Sequence, residues 1–232
     1  MKKIILSFLI FNIYSLSSRS TFENKLIQGS IKELDTKIKL SFNINKKDSY
    51  NKTYLMLACE YGAYDLVASL LKRKAKLELH DYRGDTAFLL AVKNKNIEIA
   101  KLLKKYGSNI NYRNKDNYNA LFIAIQNGDI DTVDFLLEEE LNPNEKFDSL
   151  NALQFALLNV KNEDYYRIVK LLLLYDADIN YKTTKNYIIV FDKSDINEEV
   201  NFVEFNLKEG YNSLEIAKML KLTKIAKLLE KI

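Results

Sequence analysis

Over residues 81–111 the chain alternates polar and apolar blocks in a way that predicts two short helices between turns. A turn at Asp81-Tyr82-Arg83-Gly84 precedes a short apolar helix over 86–93, a polar break over 94–96, a second apolar helix over 97–105 and an exit turn over 107–111. Leu89 of the first helix and Ile99, Leu102 and Leu103 of the second fall at helical spacing, on faces that one helix pair cannot bury alone. Stacking the next pair covers them, so the pattern predicts a mainly all-α fold grown by nearest-neighbour contacts.

The block repeats. Asp48, Asp81 and Asn114 are spaced 33 residues apart, as are Thr53, Thr86 and Asn119, and Ala58, Ala91 and Ala124. The expected copies are a degenerate N-terminal cap over 22–47, repeats over 48–80, 81–113, 114–146 and 147–180, and a C-terminal cap over 210–232. The fourth copy shortens its first turn by one residue and lengthens the link between its helices by four. In the last helix Ile225, Ala226, Leu228 and Leu229 are expected to point inward, with Lys224, Lys227, Glu230 and Lys231 facing water. Residues 181–209 break the period. Within them 187–191 (YIIVF) and 200–207 (VNFVEFNL) have strand character, and the polar stretch between them predicts one enlarged β-hairpin. Such an insertion is either a binding finger, with Phe191 and Phe202 as contact residues, or padding that a surface loop tolerates; its aromatics favour the finger.

DSYNKTYLMLA (48–58) and DYRGDTAFLLA (81–91), closed by GSNIN (107–111) and DADIN (176–180), resemble the ankyrin repeat. The resemblance implies an ankyrin-repeat solenoid of stacked helix-turn-helix units over 21–232 with short β-turn loops. The family proline is replaced by Tyr54, Ala87, Ala120, Ala152 and Ser213, and the family histidine by Met56, Leu89, Phe122, Gln154 and Glu215, so the usual Thr–His hydrogen-bond network is absent. Asn119, Asn151 and Asn212 stand for threonine at helix starts, and Asn is itself a good N-cap. The resemblance also implies that partners touch the turn tips and the exposed side of the first helix. That places Tyr50, Tyr82, Arg83, Asp116 and Tyr118 at tips, and Tyr61, Lys93 and Gln126 on the helices. Tyr50, Tyr82 and Tyr118 would form a ladder along one edge, unless tips in this tyrosine-rich chain simply tolerate the residue.

Composition narrows the function classes. A content of 47% hydrophobic residues with a single Pro argues for a packed chain, and a net charge of +4 with interleaved signs gives no basic stripe for nucleic acid. One cysteine, Cys59, and one histidine, His80, leave no disulfide framework and no Cys or His metal cluster. No nucleophile motif accompanies His80, and Asp129, Asp131 and 138–140 read as a solvated acidic face, so no catalytic residue, cofactor, metal or small-molecule substrate is expected. Residues 1–20 read as a bacterial-type secretory signal: Lys2 and Lys3, an apolar run over 4–16, then Ser15-Leu16-Ser17. Thirteen residues rise about 20 Å as a helix, short of the roughly 30 Å bilayer core. A retained anchor, the one route to membrane contact, and a buried N-terminal helix are the alternatives. The sequence therefore predicts an exported, periplasmic or secreted, non-enzymatic scaffold for a protein partner. An envelope-anchored accessory that stabilises or protects a membrane or periplasmic enzyme is the second reading, and an enzyme built on the repeats the third.

Overall fold

A computed structural model describes Lys32, Thr36 and residues 43–159, 163–184, 186–192 and 202–232, with the backbone alone for 163, 187–192 and 202–206. The signal-like segment over 1–20, nearly all of the N-terminal cap copy and the polar centre of the insertion lie outside the described residues. The chain divides at Asn142/Pro143 into two compact units.

Among the described residues the first unit holds three helix pairs: α1 (Tyr54–Glu60) with α2 (Tyr64–Lys72), α3 (Ala87–Lys93) with α4 (Ile97–Lys105), and α5 (Ala120–Asn127) with α6 (Ile130–Glu138). The first helix of each pair starts where an extended residue caps it: the side-chain oxygens of Thr53, Thr86 and Asn119 accept the backbone N–H of Met56, Leu89 and Phe122. Each such cap is worth about 1 kcal/mol, and Asn119 serves as the sequence predicts. Helix α3 lies between α1 and α5, and six of its seven residues, Ala87 to Val92, are buried. A helix packed on both sides carries no polar stripe. The second helices are amphipathic instead: α4 buries Ile99, Ala100 and Leu103 and turns Glu98, Lys101 and Lys105 to water. Phe88, Phe122, Leu55, Met56, Leu70 and Leu136 fill the core.

Three left-handed residues punctuate each described repeat of this unit. Asn51, Gly84 and Asn117 turn the tips, Gly62, Lys95 and Gly128 separate the two helices, and Lys74, Gly107 and Glu140 follow the second helix. The backbone keeps the 33-residue period where residue identity has drifted.

The second unit opens with a tip hairpin, β1 (Lys146–Phe147) paired antiparallel to β2 (Leu150–Asn151), and continues into α7 (Ala152–Leu158) and α8 (Glu163–Leu174). Helix α8 has 12 residues where α2, α4 and α6 have 9. Part of the extra length predicted for the inter-helix link is therefore helix. Then come β3 (Tyr187–Asp192) and β4 (Phe202–Leu207), antiparallel over six rungs from Tyr187↔Leu207 to Asp192↔Phe202, and the pair α9 (Ser213–Met219) and α10 (Thr223–Leu229). The enlarged hairpin is present as two six-residue strands. Thr183 closes its base: its N–H donates to the Tyr211 carbonyl at 3.0 Å, its carbonyl accepts from Gly210 at 2.7 Å, and its hydroxyl donates to the Lys208 carbonyl at 2.8 Å. The chain leaves the repeat and returns to it at one point, so the insertion does not interrupt the packing of α7 on α9. Gln154, at the position of the family histidine, is fully buried and donates to the carbonyls of Tyr181 (2.8 Å) and Tyr211 (3.1 Å). A side-chain amide thus supplies the polar link that the missing imidazole would have made.

Candidate interaction surface

Each tip of the first unit is built by one side chain. Asp48 Oδ1 accepts the N–H groups of Tyr50 and Lys52, Asp81 Oδ1 those of Arg83 and Asp85, and Asn114 Oδ1 those of Asp116 and Tyr118, all between 2.8 and 3.1 Å. A short carboxylate or amide folding back on its own backbone is the reason Asp or Asn recurs there. Neighbouring tips are then tied together. Tyr82 N donates to the Tyr50 carbonyl at 3.3 Å and Lys115 N to the Arg83 carbonyl at 3.1 Å. Lys47 and Lys115 each place Nζ on a carbonyl of the adjacent tip, His80 at 3.2 Å and Tyr82 at 2.8 Å. The result is an edge of linked tips.

Tyr50 and Tyr82 stand on that edge 64% and 55% exposed, with ring centroids 6.4 Å apart and planes tilted by 49°. Exposed Arg83 lies with its guanidinium carbon 6.0 Å from the Tyr82 ring. Asp116 is exposed at the place that Tyr50 and Arg83 hold in their own tips, two residues after the turn-forming Asp or Asn.

Tyr118 departs from the expected ladder. It occupies the place of Lys52 and Asp85, four residues after the turn former, and is half-buried against Gln126. Burial, with Asp116 nearby, raises its hydroxyl to about 12, partly offset by the hydrogen bond with Gln126. Lys93 and Gln126 are likewise half-buried, because they pair with the inner side of the tip and do not project freely from the helix. The same eight-residue pairing recurs in the three described repeats of the unit: Lys52 with Glu60 at 2.6 Å, Asp85 with Lys93 at 3.2 Å, Tyr118 with Gln126. Asp85 is the most enclosed member, its side chain 1% exposed, and it also accepts from Asn114 Nδ2 of the next repeat at 2.7 Å. Neither Asp85 nor Asn114 stands out in the sequence as more than a turn residue. Their common signal is the eight-residue offset, which a comparison of the repeats would have exposed.

Tyr61 is half-buried at the C-cap of α1. Phe191 and Phe202 sit on β3 and β4, on the two rungs farthest from the hairpin base, and belong to the other unit. His80 is exposed, its ring Nδ1 3.1 Å from the Asp81 carbonyl. Cys59 is wholly buried, and desolvation pushes its thiol far above the ordinary range, so it is packed and protonated. Among the described residues no group of three His, Cys, Asp or Glu side chains is placed to hold a metal ion, and no helix is long and apolar enough to cross a membrane.

The family model for ankyrin repeats in three copies matches residues 26–114 and 88–183. An ankyrin repeat protein of Acanthamoeba polyphaga mimivirus is 28% identical over 67% of this chain and 21% of its own length. One from Fowlpox virus is 30% identical over 63% of this chain and 44% of its own, and one from Rickettsia felis 30% identical over 53% and 41%. The chain thus spans less than half the length of each. Among solved structures, an ankyrin repeat domain from Acinetobacter baumannii superposes with a TM-score of 0.68 at 22% identity, covering 88% of this chain and 92% of that one. A chain from the complex of a predatory endopeptidase of Bdellovibrio bacteriovorus with an immunity protein gives 0.66 at 23% identity, covering 93% and 99%.

Proposed function

The chain belongs to the ankyrin-repeat family, whose repeats are protein-interaction scaffolds, and from that premise we propose an exported, non-catalytic scaffold that grips a protein partner on its repeat tips. The observation that carries this reading is the exposed Tyr50–Tyr82 pair, whose tips are joined by the backbone hydrogen bond from Tyr82 N to the Tyr50 carbonyl. Two aromatic side chains kept in water at fixed separation cost little entropy to immobilise on binding, and tyrosine is among the commonest interface anchors. Arg83 beside Tyr82 adds a forked donor for a partner carboxylate. Export rests on Lys2, Lys3 and the apolar run over 4–16.

Replacing Tyr50 and Tyr82 together by Ala leaves the core untouched. The variant keeps the wild-type melting temperature within about 2 °C, as expected of surface positions, and loses partner capture in a pull-down from the native host. Undiminished capture refutes the tip reading. The second reading, a protective accessory of an envelope enzyme, draws on the structural neighbour found in a complex of an endopeptidase with an immunity protein. N-terminal sequencing of the mature protein separates an anchored form from a released one, and a start near Ser18 counts against the anchor.

A further inference from the structure

Three cations meet at the middle tip of the first unit. Lys47, just before the first tip, places Nζ 3.2 Å from the His80 carbonyl, and Lys115, in the third tip, places Nζ 2.8 Å from the Tyr82 carbonyl. Those carbonyls are two residues apart, at most about 7 Å of chain. Arg83 stands exposed in the same turn. Each lysine is tethered by a neutral acceptor. The tether fixes the ammonium in place without matching its charge, and leaves two of its three N–H groups for a ligand.

The nearby carboxylates are engaged elsewhere. Asp81 is buried, and its Oδ1 accepts the N–H groups of Arg83 and Asp85. Asp85 is paired with Lys93, and Glu60 with Lys52. Among the described residues none of Lys47, Arg83 and Lys115 is ion-paired to a carboxylate. Like charges gathered without a counter-charge repel one another, and an incoming anion relieves that repulsion.

The cationic stretch is also short. Apart from Lys115, the exposed charges in the flanking turns 48–51 and 114–117 are Asp48 and Asp116. A long polyanion laid along the edge meets those carboxylates, whereas a segment with only one or two negative charges does not. Beside the cations stands the Tyr50–Tyr82 pair, 6.4 Å between ring centroids, a platform for an apolar side chain.

We propose that the partner meets this edge through an extended peptide segment in which one or two Asp or Glu residues adjoin an apolar or aromatic one. Arg83 takes a carboxylate through two parallel N–H groups, Lys47 and Lys115 close on it from either side, and the apolar side chain lies on the tyrosines. Extended chain rises about 3.3 Å per residue, so three or four residues cover the roughly 10 Å between stacked repeats. The inference rests on the tip reading above and adds the partner's chemistry to it.

The test uses the full chain and three fluorescent probes: the peptide Gly-Ser-Leu-Phe-Glu-Asp-Gly-Ser, its counterpart with Gln-Asn for Glu-Asp, and a thymidine oligonucleotide. Anisotropy measures binding and amide NMR shifts map it. The wild type binds the acidic peptide about tenfold more tightly than the neutral one, as expected for two interfacial charges, with shifts centred on residues 80–83 and 115. Rising salt weakens that preference. Arg83→Gln/Lys115→Gln removes charge but keeps hydrogen-bonding groups; it holds the melting temperature within about 2 °C and binds the two peptides equally. Tyr50→Ala/Tyr82→Ala weakens both peptides alike. No binding of the acidic peptide, equal binding of the two peptides by the wild type, an unchanged preference in the Arg83/Lys115 variant, or tighter binding of the oligonucleotide overturns the proposal. If Tyr50→Ala/Tyr82→Ala loses partner capture while Arg83→Gln/Lys115→Gln keeps it, the tip reading stands and the acidic partner falls.

Discussion

Single residues in this protein reveal how far identity can drift while the backbone holds its period. Gly84 is the tip position where drift is least affordable. Its φ is +83°, and an added Cβ would come within 2.8 Å of the Lys115 backbone nitrogen. Gly107 is also left-handed, at +95°, but a Cβ there meets nothing within 4 Å. Gly107→Ala should therefore cost only the left-handed strain, about 1 kcal/mol, and Gly84→Ala at least twice that with loss of the Lys115–Arg83 bond, as urea unfolding would read. Tyr118 supplies a pH signature. Its hydroxyl titrates near 12 in the fold and near 10 when unfolded, so between those values the unfolded chain sheds a proton that the folded chain retains. The stability it contributes is whole below pH 10 and is lost as pH rises toward 12. Tyr118→Phe should lose less stability than the wild type across that window in thermal melts. Its place was legible in principle: proximity to the turn suggests a tip, but counting four residues from Asn114 gives the register of Asp85.

At the level of elements, the helices and their caps could be read because each depends on neighbours within a few positions, as Thr86 and Asn119 show. The links between elements could not. Asp85 pairs with Lys93 along the chain and with Asn114 in the next repeat, and its enclosure follows from the stacking of α3 on α5. Asp85→Ala removes an acceptor from half-buried Lys93 and from the Asn114 amide and a buried charge from its pair, which should cost about 2–4 kcal/mol. Lys52→Ala, at the equivalent but more exposed pair, should cost under about 1 kcal/mol. Chemical denaturation of the two variants checks that order. The hairpin was visible from its β-branched and aromatic runs, but the Thr183 clamp was not, since its partners lie 25 to 28 residues away. Gln154 had a local cue, being the polar residue at the family histidine position, though its two carbonyl partners emerge only with the fold.

Across the whole molecule, the regular spacing specified the repeats of the first unit, because a 33-residue period with buried first helices has few other ways to be satisfied. The candidate edge was partly legible. Tyr50, Tyr82 and Arg83 lie together where the repeat pattern puts them, while Tyr118, Lys93 and Gln126 are committed to internal pairs. The proposed function therefore rests on side chains that the repeat's own packing leaves unused. Site-specific photocrosslinking in the native host tests this most directly, with a benzophenone amino acid placed in turn at Tyr50, Tyr82, Tyr64 and Tyr106, all of them exposed. A discrete protein adduct from positions 50 and 82, with none from 64 and 106, is the predicted result; adducts from 64 and 106 with none from the tips would contradict the account.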